Sequence, residues 1–352
     1  MKILVIALSG IGDALMFTPA LSKLRSDFPD AQIDALVMFS GARDLYNNLA
    51  EVNTVHYFQF LKASKSEAFE YVLSLRNKYD ASVNVYPSNR KEYNVISYII
   101  GAPKRLGVRY LRKDFLNLGF LNNVSIREDD TLHNVEENIK MVELLSGVRN
   151  DEIAPLSFPL NDEDESYAEH YLNKQEITET DRVIGFHPGC SVLKNHINRR
   201  WAPERFAGLG KKLIDEMGAK VLLFGGPDED ELKQGIIDEI GSYNAIKVET
   251  ENLPQSAAVM KRCNVFVSND SGLMHIASAL GSKVVAVIGP TNTNYIYPWK
   301  TENKIVSLNL DCAPCFFYSP KPLTCTRKDV KYKCVKEIDV DMVYNAVNDL
   351  MM

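Results

Sequence analysis

Short apolar runs, each closed by small turn residues and followed by a stretch with helical spacing, recur along this chain from its third residue onward. Residues 3–8 (ILVIAL) are continuously apolar, as in strands covered on both faces, and Ser9, Gly10 and Gly12 then turn the chain into a helix predicted to run to about Phe28. Further strands are predicted near 33–38, 55–60 and 81–86, with helices over 64–78 and 133–146. Strand and helix alternation with right-handed crossovers builds a mainly parallel sheet with helices on both faces. Polarity rises between Val148 and Asp181, which places a domain boundary there. The alternation then resumes, with strands at 182–187, 220–224, 246–249, 264–268 and 283–288 and helices at 203–217, 228–240, 254–262 and 272–280. An amphipathic helix over 338–350 ends the chain. The predicted fold class is α/β: two Rossmann-like, doubly wound lobes over 1–165 and 166–335, and a C-terminal helix in 336–352 that packs back on the first lobe.

Length agrees, because 352 residues exceed the usual span of one hydrophobic core. Hydrophobic residues at 45% and charged residues at 24% are globular values, so neither disorder nor a fibrous architecture is indicated. A formal charge of -6 argues against a nucleic-acid binder that relies on global attraction to phosphate. It does not exclude a local basic patch. Lys104, Arg105, Arg109, Arg112 and Lys113 lie close together with no acid until Asp114, either a solvated loop or an anion-facing surface. The apolar start is interrupted by Asp13 and followed by no cleavage region, so it reads as a buried strand rather than a signal peptide. No apolar run reaches the roughly 18 residues of a membrane span. Six cysteines are too few for a disulfide framework at this length, which favours a reducing, cytoplasmic compartment.

Four segments carry chemistry. In SGIGDALMFTP the third glycine of a dinucleotide fingerprint would fall at Leu15, which argues against a nicotinamide enzyme. Asp13 in that loop is either an N-cap or dipole partner of the helix, or a general base at the carboxyl end of the first strand. The second lobe opens with a strand ending at His187, followed by Pro188, Gly189 and a loop with Lys194, Arg199 and Arg200. This is either a surface loop or a diphosphate site, which arginine forks beside a glycine turn suit, and His187 and His196 lack further ligands for a metal. In FGGPDEDE, Glu229 occupies a first helical turn, as a dipole partner or an acceptor for ribose hydroxyls. In VFVSNDSGLMHIASALG an apolar strand leads through Asp270, Ser271 and Gly272 into a helix whose start can hold phosphate oxygens. Asp270 or Ser271 also fits an N-cap there, and His275 is either a satisfied helix residue or a phosphate contact.

GDALMFTPAL (12–21), NRRWAPERF (198–206), FGGPDE (224–229) and NDSGLMHIASALG (269–281) resemble the signatures of the ADP-heptose:lipopolysaccharide heptosyltransferases, glycosyltransferase family 9. The resemblance covers essentially the whole chain. It implies a GT-B fold with a cleft between an N-terminal acceptor-binding lobe and a C-terminal nucleotide-sugar lobe. It implies inverting, metal-independent transfer of a heptose or related sugar from ADP-heptose to an anionic lipopolysaccharide inner-core acceptor, with no cofactor beyond the donor. Asp13 matches the family's catalytic base, Glu229 its ribose-binding acid, and Asp270, Ser271, Gly272 and His275 its donor-binding block; Gly12 joins the donor set. A lysine that contacts the diphosphate in the family falls at or beside Arg199, within a longer loop, so Lys194 or Arg200 can share that role. An anionic acceptor suits the basic stretch 104–113 and Arg90. It would turn that lobe to the inner face of the cytoplasmic membrane as a peripheral contact.

Cys312, Cys315, Cys325 and Cys334 form C-x2-C-x9-C-x8-C. The first pair has zinc-site spacing and the later gaps do not, so structural zinc is less favoured than a cluster of thiols or a redox-dependent disulfide. Two other functions compete: another nucleotide-sugar enzyme of the same fold, such as a sugar 2-epimerase, and a non-catalytic nucleotide-sugar or anionic-lipid binding protein in which Asp13 merely caps a helix.

Overall fold

The computed structural model describes residues 1–149, 152–317 and 321–352, and of 193 and 194 the backbone alone. Contacts divide the chain into two compact units, Met1–Pro159 and Leu160–Phe317 with Lys321–Met352.

The first unit is a six-stranded parallel sheet of β1 (Lys2–Ala7), β2 (Gln32–Val37), β3 (Thr54–Tyr57), β4 (Ala81–Asn84), β5 (Lys104–Arg109) and β6 (Val124–Arg127), in the order β3-β2-β1-β4-β5-β6. The apolar run at the start becomes the central strand: Ile3 lies opposite Ile33 on one side and Ala81 on the other, and Ile3 to Ala7 are buried. Strand order reverses between β1 and β4, and loops at the carboxyl ends of strands beside such a reversal are where doubly wound folds bind ligands. The expected single helix after β1 is two, Ile11–Met16 and Thr18–Asp27, because Pro19 has no N–H to continue the first ladder and starts the second instead.

β5 and β6 were not foreseen. The basic stretch hides β5, whose Leu106, Gly107 and Val108 are buried between charged ends. A Cβ on Gly107 would come within 2.6 Å of Asn122 Nδ2, so the absence of a side chain lets the following segment pack down.

The second unit repeats the design with β7 (Val183–His187), β8 (Lys220–Leu223), β9 (Ala245–Lys247), β10 (Val265–Asn269), β11 (Lys283–Val287) and β12 (Asn303–Val306), ordered β12-β11-β10-β7-β8-β9. Its reversal lies between β7 and β10, which pair Val267 with Phe186 and Ser268 with His187. The loops after these two strands are therefore neighbours. β12, polar in sequence (NKIV), was also not foreseen.

The division falls at Pro159 rather than at 165, because the helix Asp162–Lys174 begins at a capping box of Asn161 and Asp164 and packs on the helix Leu253–Met260 of the second unit. The C-terminal helix, Val340–Met351, belongs to the second unit instead of returning to the first. Its Val343, Val347 and Leu350 are buried in the core formed by Phe206, Leu209, Val285 and Val287, and Trp201 Nε1 donates to the Ile338 carbonyl at 2.9 Å just ahead of it.

Candidate active site

The ends of β7 and β10 bring together most of the polar residues expected to act. Asn269, at the end of β10, accepts the Trp201 N–H at 2.8 Å and donates to the Pro188 carbonyl at 2.7 Å, so one buried side chain joins the two strand ends to the arginine loop. His187 is buried and bridges two partners, with Nδ1 2.8 Å from the Ser271 hydroxyl and Nε2 3.1 Å from Glu229 Oε2. The other Glu229 oxygen accepts from Arg200 at 3.1 Å, and Arg200 also donates to the Cys190 carbonyl at 2.6 Å.

Ser271 is the N-cap residue of the helix Gly272–Ala279, yet its side chain makes no capping bond. Its hydroxyl is spent on His187 and on Ser268, 3.0 Å away. The dipole and first-turn N–H donors of this helix are left without a side-chain cap, the arrangement that favours an anion. Asp270 does not cap either. Its carboxylate pairs with Arg199 and accepts from Thr291 at 2.6 Å, while the Arg199 guanidinium stacks 5.1 Å from the Phe316 ring centre.

Charge follows from this packing. Burial pushes the Glu229 carboxyl up, but the hydrogen bond and charge of His187, then Arg200, outweigh it and hold the group below its usual range. His275, on the first turns of the helix, is 3% exposed and its Nδ1 has no hydrogen-bond partner among the described residues. Burial drives its pKa down to about 4, only partly opposed by Asp270. It is a neutral ring at pH 7, so it offers a hydrogen bond rather than a full positive charge.

A pH dependence follows. The folded state keeps His275 neutral, whereas the unfolded chain protonates below 6.5, so stability is full above that value and is lost as pH falls toward 4. From pH 7 to pH 5 the loss from this residue is about 2 kcal/mol. Urea unfolding of wild type and His275→Gln at both pH values checks it, and equal acid losses in the two proteins would refute the assignment.

Gly189 keeps Glu229 in place. A Cβ there would lie 1.7 Å from Glu229 Oε1, so Gly189→Ala must displace the carboxylate from His187 and Arg200. We expect a lower unfolding temperature with the fold retained, read by calorimetry. An unchanged temperature would mean that Glu229 gives up both partners without loss.

In the first unit, Asp13 sits in the first turn of Ile11–Met16, where Gly10 rather than Asp13 is the N-cap. That sets aside the N-cap reading of Asp13, while the dipole-partner reading fits its place in the first turn. Its half-buried carboxylate lies near three buried phenols: Tyr46, Tyr93 and Tyr110 are raised chiefly by burial, and the Asp13 charge adds to each. Tyr93 reaches about 12. Tyr46 donates to the Ala14 carbonyl at 3.0 Å and Tyr93 to the Leu8 carbonyl at 2.6 Å, which fixes the backbone on both sides of Asp13. Gly12, half-buried, stands beside it.

The sequence model of glycosyltransferase family 9 (heptosyltransferase) matches residues 70–323, well over half of the chain. The chain belongs to glycosyltransferase family 9. Lipopolysaccharide heptosyltransferase 2 of Escherichia coli strain K12 is 28% identical over 318 residues, covering 88% of each chain. A crystal structure of a family 9 glycosyl transferase from Veillonella parvula aligns with a TM-score of 0.72 at 25% identity, over 87% of this chain and 85% of that one. The structure of E. coli ADP-heptose lps heptosyltransferase II aligns with a TM-score of 0.74 at 24% identity, over 100% of this chain and 98% of that one, and shares its GT-B fold. This family 9 chain is therefore a glycosyltransferase.

Of the residues expected to act, the structure gathers Arg199, Arg200, Glu229, Asp270, Ser271, Gly272 and His275 around the β7 and β10 ends. The side chain of Lys194 lies outside the described residues. Asp13 and Gly12 precede the residues that the family model matches. Sequence reasoning gave no role to His187, Thr291, Phe316 or Asn269. A histidine closing an apolar strand ahead of Pro-Gly was the available signal for the first. Thr291 and Phe316 carry none, because only the fold brings them to Arg199.

The four C-terminal cysteines are unpaired thiols. Burial, then the charges of Cys315, Cys312 and Cys325, pushes Cys334 up to about 11. No group of three metal-ligating side chains is arranged to hold an ion among the described residues.

Proposed function

We propose that this enzyme transfers a heptosyl group from ADP-heptose to the anionic core of a lipopolysaccharide-type acceptor, with inversion at the anomeric carbon. Support for the donor comes from the E. coli ADP-heptose heptosyltransferase and for the acceptor from the E. coli lipopolysaccharide heptosyltransferase that this chain resembles. The observation that carries the reading is the helix at Gly272–Ala279, whose start lacks a side-chain cap and lies beside two arginines, each paired with an acid, Asp270 and Glu229. In this reading the helix start and Arg200 hold the diphosphate, and Arg199, anchored on Asp270, adds positive charge from behind. Glu229 accepts hydrogen bonds from the ribose.

Asp13 takes the proton from the acceptor hydroxyl as its oxygen attacks the anomeric carbon. The bond from that carbon to the diphosphate oxygen breaks, ADP leaves with the electron pair, and the helix start and arginines stabilise its developing charge. The basic residues 104–113 and Arg90 serve the anionic acceptor, and the enzyme contacts an anionic membrane surface peripherally; no helix among the described residues is long and apolar enough to cross a membrane. We take the four cysteines as reduced thiols without a cofactor role, and stoichiometric zinc in the purified protein would reverse that. The decisive experiment is a donor screen by mass spectrometry with truncated lipopolysaccharide acceptors. Transfer from ADP-heptose is expected, and transfer from another nucleotide sugar alone would replace the heptosyl assignment.

A further inference from the structure

Between β5 and β6 the first unit presents an apolar surface to solvent with no internal reason for it. Phe115 is 75% exposed and Leu116 71%, and Phe120, about half exposed, holds its ring 5.5 Å from that of Phe115. Leu111 is exposed as well.

The segment is built rather than slack. The Asp114 carboxylate accepts from Tyr110 N–H at 3.0 Å and Arg109 Nε at 2.6 Å, and a Cβ on Gly119 would come within 2.1 Å of that carboxylate. The buried Asn117 donates to Asn89 Oδ1 at 2.7 Å, Asn94 donates to the Asn117 carbonyl at 2.7 Å, and Asn89 donates to the Arg112 carbonyl at 3.0 Å. Backbone anchored in this way turns Phe115 and Leu116 outward between two inward anchors, Asp114 and Asn117.

The surrounding charge identifies what meets this surface. From 104 to 130 the chain carries six cations, Lys104, Arg105, Arg109, Arg112, Lys113 and Arg127, against four acids, Asp114, Glu128, Asp129 and Asp130, a net of +2 in a protein of net -6. Arg109 pairs with Asp114, and Arg112 with Asp130 at 3.4 Å, but exposed pairs of this kind are weak and leave the local excess in place. Aromatic and aliphatic tips ringed by lysine and arginine match the interface of an anionic bilayer, where rings sit at headgroup depth and cations meet lipid phosphates.

We infer that the loop between β5 and β6 inserts Phe115 and Leu116 into an anionic lipid surface and anchors the enzyme there. The inference rests on the peripheral membrane contact proposed above and names the structure that makes it. Each apolar side chain carried into the interface contributes roughly a factor of ten or more in partitioning.

The test is flotation of the full-length protein with vesicles of phosphatidylglycerol and phosphatidylethanolamine, and with phosphatidylcholine alone. Wild type is expected to float with the anionic vesicles, less so as salt rises, and to stay behind with the neutral ones. Both side chains are exposed, so the Phe115→Ser/Leu116→Ser double variant should keep the wild-type unfolding temperature, bind anionic vesicles at least about tenfold more weakly, and retain transfer to a water-soluble truncated acceptor. Equal vesicle binding by wild type and variant overturns the loop assignment and leaves the membrane contact standing. Wild type that fails to float overturns both. A variant that loses transfer to the soluble acceptor assigns the patch to the acceptor site, which also overturns the inference.

Discussion

Asp13→Asn is expected to lower turnover by about 10³-fold while ADP affinity stays within about twofold of wild type. The substitution keeps size and one acceptor oxygen but removes the capacity to take a proton, so it isolates base function from packing. The surrounding backbone is held by bonds that do not involve this side chain, from Tyr46 to the Ala14 carbonyl and from Tyr93 to the Leu8 carbonyl. Gly12 apart, the residues proposed to grip the nucleotide belong to the second unit. Turnover should therefore fall with little change in unfolding temperature or in ADP titration by calorimetry. Undiminished kcat would remove Asp13 from the mechanism, and parallel loss of ADP binding would move it into the donor site.

The second large effect concerns stability. Asp270→Ala should destabilise the enzyme by about 3 kcal/mol, because it strips the counter-charge from a buried guanidinium. Arg199 and Asp270 each keep only 10% of their side-chain surface exposed, and Arg199 Nε already lacks a partner among the described residues. Thr291, 3.5 Å from Arg199, cannot replace a carboxylate. Removing both charges together, as in Arg199→Met/Asp270→Leu, should cost less than Asp270→Ala alone, since no unpaired ion then remains inside. Denaturant unfolding compares the three proteins. A cost below about 1 kcal/mol for Asp270→Ala would mean that Arg199 reaches water or another anion in solution. The same pair links stability to function, because the arginine held there is proposed to add positive charge behind the diphosphate.

Strand and helix placement was legible wherever one period dominated. The run ILVIAL declared a central strand because a parallel strand is covered on both faces and admits few polar residues. β5 and β12 escaped notice for the converse reason: KRLGVR and NKIV carry charge at positions that reach solvent, and only pairing with their neighbours makes them strands. The final helix was readable as amphipathic, but its partner was not, since an apolar stripe specifies burial without saying against what.

Local sequence by itself determined the two doubly wound units, the glycine-bounded strand ends and the helix start at Ser271, since these depend on residues adjacent in the chain. The family signatures carried its class. Only tertiary structure decided that His187 bridges Ser271 and Glu229, that Asp270 turns from its helix to Arg199, and that Phe115 and Leu116 are held outward. Those outcomes depend on which strand ends become neighbours and on the order in which the sheets reverse. A side chain's partner, its burial and hence its charge state are set by residues distant along the chain, which no local pattern encodes.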